Sequence, residues 1–566
     1  MKIICLSILF FLSQLLSAQQ ITRETRAVWV STNFALDWPP KTYNAELQKE
    51  SLRNIFRNLH NKHFNTVYFQ VRSNGTVMYN SSLEPFSPYL TGTVGKAPAF
   101  DPLEYAIELG KEYDMEVHAW LNMIRCFVGA NQKILFSPFH VKNIHPEWTV
   151  RKTDQNGKDS YWLNPGLFEV QEYLTRIMLE VASNYDVDGI HLDFFRYPDK
   201  DFNDEKEYFQ SGTSLSKDDW RRNNLTQILT DFKQRVKPKN KFLKIGITPI
   251  GIRSNLDGAV GQEGYFSVYQ DTEKWLKDEL VDYLVPQIYW PFKDNPNFGI
   301  LAQDWVIKSY GKNIILGLGA YKPGIKKELN EMINFSREIN AAGIALFRYS
   351  NIADIDDIYF NKIALPKNMP WKYKQSQLAA KNENNCLQIN IDKSENNEVS
   401  ISWGKNNRLN NNIRYFLLNR ISNKNNFNPT LISPDKSKIK LLFSNPKYLS
   451  YQYKIENLDR LWNTVCESKI INVKIPYLFS LKKSAQIITK PVFIKINKDE
   501  FILSVFSHKR QTVILELVSK EGTLNQFKKE LQFGSNIISI RQNLDLLQTI
   551  KIVYGNGKKA KEINFY

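Results

Sequence analysis

The chain has 566 residues, 42% of them hydrophobic, with 4 Cys and a formal net charge of +17. That length and apolar content exclude a disordered polypeptide or a single small module, and two or three domains are expected. Few cysteines and no CxxC spacing exclude a disulfide framework and a cysteine-built metal or redox centre.

The first 18 residues, MKIICLSILFFLSQLLSA, set Lys2 before an apolar run and end in the small Ser17 and Ala18. This pattern predicts a signal peptide, and with it a secreted or periplasmic location at the cell envelope. Cys5 lies inside the apolar run rather than after it, which argues against lipidation. Of the remaining cysteines, Cys126, Cys386 and Cys466, the last two could bridge one C-terminal domain.

Eight apolar, β-rich runs follow, at 26–33, 65–72, 115–122, 187–194, 243–250, 281–290, 313–321 and 343–350. Helix-like stretches separate them at 45–62, 102–113, 167–184, 217–236, 270–279, 299–310 and 325–341. In the third, Val170, Leu174, Ile177, Met178 and Val181 recur at helical spacing. Alternating strands and helices predict an α/β fold, a (β/α)8 barrel over about 24–365. An open doubly wound sheet is the competing architecture, but no glycine-rich phosphate loop follows any of these strands. The connection from 123 to 166 contains Asp154-Gln155-Asn156-Gly157, a turn signal that predicts a hairpin.

After the Pro-punctuated segment 365–373, short alternating runs split by Asn-rich turns predict all-β domains: a fibronectin-III-like sandwich at 380–480 and a second small domain at 485–566. The basic excess lies wholly here: residues 371–566 hold 32 Lys and Arg against 15 Asp and Glu, whereas residues 1–370 hold 43 of each. These lysines are scattered among asparagines and form no compact basic helix, so no nucleic-acid partner is expected. A solvated surface with weak attraction to an anionic envelope polymer is.

The richest stretch is Asp188 to Pro198, DGIHLDFFRYP. Alternation along a strand puts Gly189, His191 and Asp193 on one face, and an Asp and a His are costly to bury there unless bonded or used. With RAVWVST (26–32), FNTVYFQVRSNG (64–75), the run 100–122, HPEW (145–148), WLNPG (162–166), DWRRNN (219–224), the run 269–290 and FRYSN (347–351), it resembles the glycosyl hydrolase-like family 10 domain of secreted bacterial proteins. The resemblance implies a TIM barrel and glycoside hydrolase activity on a polysaccharide, including bacterial cell-wall glycan strands in some relatives. Many relatives carry two consecutive Asp residues at the end of the fourth strand. Here Phe194 follows Asp193, so a role resting on the second Asp is not carried over.

Glycosidic hydrolysis needs a proton donor and a second group that stabilises or traps the oxocarbenium-like centre. Asp193 is the candidate general acid/base, and Glu263, on the loop after the fifth strand, the candidate second carboxylate. Asp37 is an alternative, and Asp271 reads as a helix N-cap. Failing any second carboxylate, an N-acetyl group of the substrate could act as nucleophile, with Tyr289 holding the acetamide. Substrate contacts are expected from Arg72, Asn122, His191, Arg196, Gln287, Tyr289 and Trp290, with Asn33, Gln70, Arg125, Tyr321 and Arg348 also at strand ends. The tryptophans Trp38, Trp120, Trp148, Trp162 and Trp290 are candidate sugar platforms. His118 and His191 lack a third ligand at convincing spacing and read as a hydrogen-bonded core pair, so no metal or other cofactor is expected. Two readings compete with a hydrolase: an Asp193 that only pairs with Arg72 or Arg196, and a barrel that binds carbohydrate without cleaving it.

Overall fold

The structure, a computed structural model, describes residues 22–355, 358, 360, 362–372, 387–393, 398–404, 413–421, 429–442, 450–474, 492–495, 499–507, 510–532, 534–554 and 560–564. The signal-like segment 1–18 and Cys386 lie outside the described residues. Two compact units emerge, one of residues 20–380 with 458–464, the other holding most of the C-terminal part.

The first unit is a closed barrel. Its strands are β1 (Thr25–Val30), β2 (Thr66–Ser73), β3 (Glu116–Asn122), β4 (Gly189–Asp193), β5 (Lys244–Ile247), β6 (Tyr283–Leu284), β7 (Asn313–Leu318) and β8 (Gly343–Phe347). Each pairs in parallel with the next, and β8 returns to β1 with Thr25 opposite Gly343, so no edge remains. Helices α1 (Ala45–Asn61), α2 (Pro102–Glu112), α3 (Phe168–Asn184), α4 (Lys217–Val236), α5 (Thr272–Lys277), α6 (Phe298–Ile307) and α7 (Pro323–Glu338) occupy the predicted connections.

Local chemistry sets these boundaries. The Asp101 carboxylate accepts from the Leu103 and Glu104 amides at 2.9 and 3.1 Å, and Pro102 opens α2 where no N–H is needed. On α3 the predicted stripe Val170, Leu174, Ile177, Met178 and Val181 is buried, each side chain worth about 1.5–3 kcal/mol. Strand β6 is shorter than the run 281–290 suggested, because Pro286 offers no N–H. Pairing resumes at Gln287, which bridges Ile250 and Gly317.

Two apolar clusters result, one between strands and helices and one in the barrel lumen, the latter built on Trp29, Tyr68, Trp120, Tyr283 and Ile315. The lumen depends on Gly246, where a Cβ would lie 1.9 Å from the Tyr283 ring. The predicted hairpin is present as Thr149–Thr153 with Asp159–Leu163, and Arg125–Val128 adds a third strand that the sequence did not suggest.

The segment 458–464 belongs to this same unit. Its Trp462 indole N–H donates to Glu116 Oε1 at 2.6 Å, and the Trp462 carbonyl accepts from Arg23 at 2.6 Å. Glu116 also binds Lys244 and His118, so a buried charge depends on this indole. Trp462→Phe is expected to destabilise the barrel by about 1.5–3 kcal/mol, the range for a lost bond to a charged group. Thermal unfolding followed in the near ultraviolet measures it, and an unchanged transition would show that the indole is dispensable.

Beyond residue 380 the predicted short strands form antiparallel sheets. Ile389–Lys393, Glu398–Trp403 and Lys438–Leu442 make one, and Thr430–Ile432, Ile413–Ile421, Ser450–Asp459, Thr464–Glu467 and Ile471–Lys474 another. They enclose Val399, Ile401, Trp403, Phe416 and Val473. Further along, Val492–Lys495, Glu500–Ser507 and Gly534–Arg541 form a third sheet. Gln511–Ser519, Gly522–Leu531, Thr549–Tyr554 and Ala560–Asn564 form a fourth. Cys466 is disulfide-bonded.

Candidate active site

Barrel register brings the sequence candidates together. In the parallel pairing of β3 with β4, Trp120 lies opposite His191 and Asn122 opposite Asp193. Paired residues project to the same side, so Asn122 and Asp193 form an upper layer and Trp120 and His191 a lower one.

Asp193 is buried at the end of β4. Its Oδ1 accepts from the Phe194 amide at 2.7 Å and, at the limit of bonding distance, from Gln287 Nε2 at 3.5 Å. Burial pushes its carboxyl above the usual range, against the Phe194 amide, Arg125, Arg196 and Trp120, which all favour the ionised form. Neither guanidinium comes within ion-pair distance of Asp193 among the described residues. The reading of Asp193 as a salt-bridged structural residue is therefore set aside.

Two buried donors face this carboxyl without partners. The Trp120 indole N–H is near enough to favour ionised Asp193 but makes no bond of ordinary geometry. The Tyr289 hydroxyl is also unbonded, and burial followed by the neighbouring Asp193 holds its pKa well above the phenol range. Such orphaned groups cost about 1–3 kcal/mol each, and because both are covered in this structure a ligand oxygen satisfies them only after a side-chain shift uncovers them.

Phe194 takes φ +48°, in the left-handed region that a bulky residue enters only at a cost of about 1–3 kcal/mol. That turn folds its amide back onto Asp193 and lets its carbonyl accept from the Ile124 amide at 3.2 Å. Strain is thus concentrated beside the candidate acid.

Below lies a hydrogen-bonded chain. The Trp29 indole, a donor only, donates to His191 Nε2 at 3.0 Å, so the ring's proton sits on Nδ1, 3.1 Å from the Tyr283 hydroxyl. The Tyr283 hydroxyl proton then serves His118 Nδ1 at 2.6 Å, and His118 Nε2 donates to Glu116 at 3.2 Å. Burial, with His118 adding to it, holds His191 neutral, well below its usual pKa. The ring also stacks on Tyr68 at 3.9 Å. His191 is consequently a correction: fully buried and bonded at both nitrogens, it supports the floor rather than touching substrate.

Arg72 is corrected likewise. It is fully buried, binds both oxygens of Glu84 at 2.6 and 2.7 Å, and donates to the Asn122 and Met123 carbonyls. Glu263 accepts from the Asn255 amide at 2.8 Å within its own loop, and no contact joins it to Asp193. Asp37 is engaged by Arg348 and by the Ser31 and Ser350 amides. Asp37 is therefore not a free second carboxylate, whereas Glu263 keeps its Oε2 unbonded among the described residues and is set apart by making no contact with Asp193. Asp271 caps α5 as expected, accepting from the Lys274 amide at 3.2 Å. Gln70 ties the end of β1 through Ser31, Thr32 and Asn33 and reaches Asn122 at 3.3 Å. Trp38 is fully buried with its N–H on the Gln48 carbonyl, so it is packing and not a platform. Trp290 stays half-buried beside the Lys322 ammonium. Among the described residues no cluster of three His, Cys, Asp or Glu could hold a metal ion.

Sequence reasoning missed the orphaned donor of Trp120 and the role of Phe194. The first was findable, since alternation in MEVHAWLN puts Trp120 on the face of His118 and Asn122. A backbone dihedral leaves no such trace.

Residues 24–333 match the model of the family described as Glycosyl hydrolase-like 10. Glycosyl hydrolase DigH of Escherichia coli (strain K12) is 32% identical over 349 residues, covering 56% of this chain and 78% of that protein. Glycosyl hydrolase YngK of Bacillus subtilis (strain 168) is 31% identical over 320 residues, 54% of this chain and 62% of that protein. Among solved structures, the PgaB (BpsB) glycoside hydrolase domain from Bordetella bronchiseptica aligns with a TM-score of 0.43 at 13% identity, over 62% of this chain and 100% of that one.

Proposed function

We infer from its place in the Glycosyl hydrolase-like 10 family, to which this chain belongs, that the protein hydrolyses a polysaccharide of the bacterial cell envelope, with cell-wall glycan strands as the substrate class. It is a glycoside hydrolase. The leader-like residues 1–18 and the basic excess beyond residue 370 support action outside the cytoplasm on an anionic envelope.

One observation carries the mechanism: a buried Asp193 held above the usual carboxylate range, faced by two unpartnered donors, with Asp37 engaged by Arg348 and Glu263 making no contact with Asp193. Asp193 donates its proton to the glycosidic oxygen as the C1–O bond breaks. The substrate's own N-acetyl carbonyl oxygen bonds to C1, held by the Tyr289 hydroxyl, and gives an oxazolinium ion. Water then bonds to C1 as the oxazolinium C1–O bond breaks and restores the N-acetyl group, and the proton the water loses returns to Asp193. Two inversions give net retention.

The full chain, incubated with glycan strands stripped of stem peptides, should release reducing ends with retained anomeric configuration. Equal cleavage of de-N-acetylated strands would overturn the substrate-assisted step. Tyr289→Phe removes an unsatisfied hydroxyl, so its melting temperature should hold or rise while kcat falls about 10²-fold, the cost of a misplaced reacting group once the acetamide is no longer oriented. Full activity in that variant would remove Tyr289 from the mechanism.

A further inference from the structure

Two cations beside Asp193 are left over by the mechanism. Arg125 stands at the foot of the loop after β3, and Arg196 lies three residues beyond Asp193. The Arg125 guanidinium carbon sits 3.4 Å from the centre of the Phe194 ring. That of Arg196 is 5.3 Å from Phe194 and 5.5 Å from Trp162. Both side chains are half-buried. Their bonding is sparse: Arg196 donates once, to the Tyr197 carbonyl at 3.1 Å, and Arg125 makes no side-chain hydrogen bond or ion pair among the described residues. None of their unpaired nitrogens is sealed from solvent, unlike the orphaned donors of Trp120 and Tyr289.

The surrounding charges do not answer this. Asp193 lies nearest but beyond ion-pair distance, and Asp199, which attracts Arg196, is already bonded to Lys152 at 3.0 Å. Arg72, Arg221, Arg253 and Arg337, buried or half-buried like Arg125 and Arg196, each have a carboxylate partner at 3.0 Å or closer. Arginines stacked on an aromatic ring keep their N–H edges free for planar recognition of a carboxylate.

We propose that Arg125 and Arg196 grip a carboxylate carried by the sugar at the cleavage site. The proposal rests on the cleft being the glycan site and narrows its substrate to an acidic sugar. Phe194 is then a positioning residue, whose ring holds both guanidiniums in place. Occupying the clamp also adds negative charge beside Asp193 and favours its protonated form, so the substrate that fits is the one that keeps the acid charged with its proton.

The test is equilibrium binding to full-length Asp193→Asn protein, which leaves the glycan intact. The probes are the disaccharide of N-acetylglucosamine and N-acetylmuramic acid and its methyl ester. The acid should bind about 10- to 100-fold tighter than the ester, the scale of one or two charge-assisted contacts. Arg125→Met and Arg196→Met should each pull that ratio toward 1 while leaving ester affinity unchanged, which general damage to the cleft would not do. Equal affinity for acid and ester, or a ratio that survives in both variants, overturns the clamp. Because the readout is binding, a clamp that passes while the wild type releases no reducing ends would refute the hydrolytic mechanism and not the clamp.

Discussion

Asp193→Asn should lower kcat by about 10²–10⁴-fold, the usual worth of a general acid, and leave the protein at least as stable as wild type. The two results arise from one cause. Burial lifts the Asp193 carboxyl above its ordinary pKa, so the folded chain holds that proton more tightly than the unfolded one. Stability from this proton is fully present below the ordinary carboxylate pKa and is lost as pH rises through the raised, folded-state value. Above it the wild type carries a buried charge that the Asn variant does not. The melting-temperature difference between variant and wild type should therefore be more positive at pH 8 than at pH 4. The same ionisation removes the acid, so kcat/KM of the wild type should fall on its alkaline side at a pKa above the ordinary carboxylate range. Near-normal turnover in the variant, or an equal loss of melting temperature at both pH values, would return Asp193 to a structural role.

The barrel was legible because both periodicities were clean. Val170, Leu174, Ile177, Met178 and Val181 announce α3, and the alternation around His191 and Asp193 announces β4. The strand most overcalled, β6, is the one interrupted by a proline. For the site, position was readable and availability was not. Asn122, Gln287 and Tyr289 stand at the strand ends where the pattern put them, next to Asp193. Arg72 and His191 stand there too, but both are consumed by neighbours distant in sequence, Glu84 for one and Trp29 with Tyr283 for the other. A polar residue facing inward is identifiable from alternation. Whether its hydrogen bonds are already taken is decided by tertiary pairing, and a linear sequence does not record that.

Arg72→Met tests the clearest of these pairings and should cost roughly 3–5 kcal/mol, the penalty for stranding a buried charge. Arg72 and Glu84 are both sealed from solvent and joined through two parallel bonds, with Tyr173 donating to Glu84 at 2.6 Å. Without the guanidinium, Glu84 keeps only the tyrosine and must either hold an uncompensated charge or take up a proton. Glu84→Gln in the same chain removes that charge while still accepting from Tyr173, so the double variant should regain more than half of the loss. Recovery of stability should not restore turnover in full, because Arg72 also donates to the Asn122 and Met123 carbonyls, and Asn122 is the residue opposite Asp193. Chemical unfolding and reducing-end release, measured on wild type, single and double variants, separate the two effects. A single variant that loses less than about 1 kcal/mol, well under the penalty for a stranded buried charge, would mean that Glu84 finds water or another donor, and the pair would then be no anchor for the β3 end of the cleft.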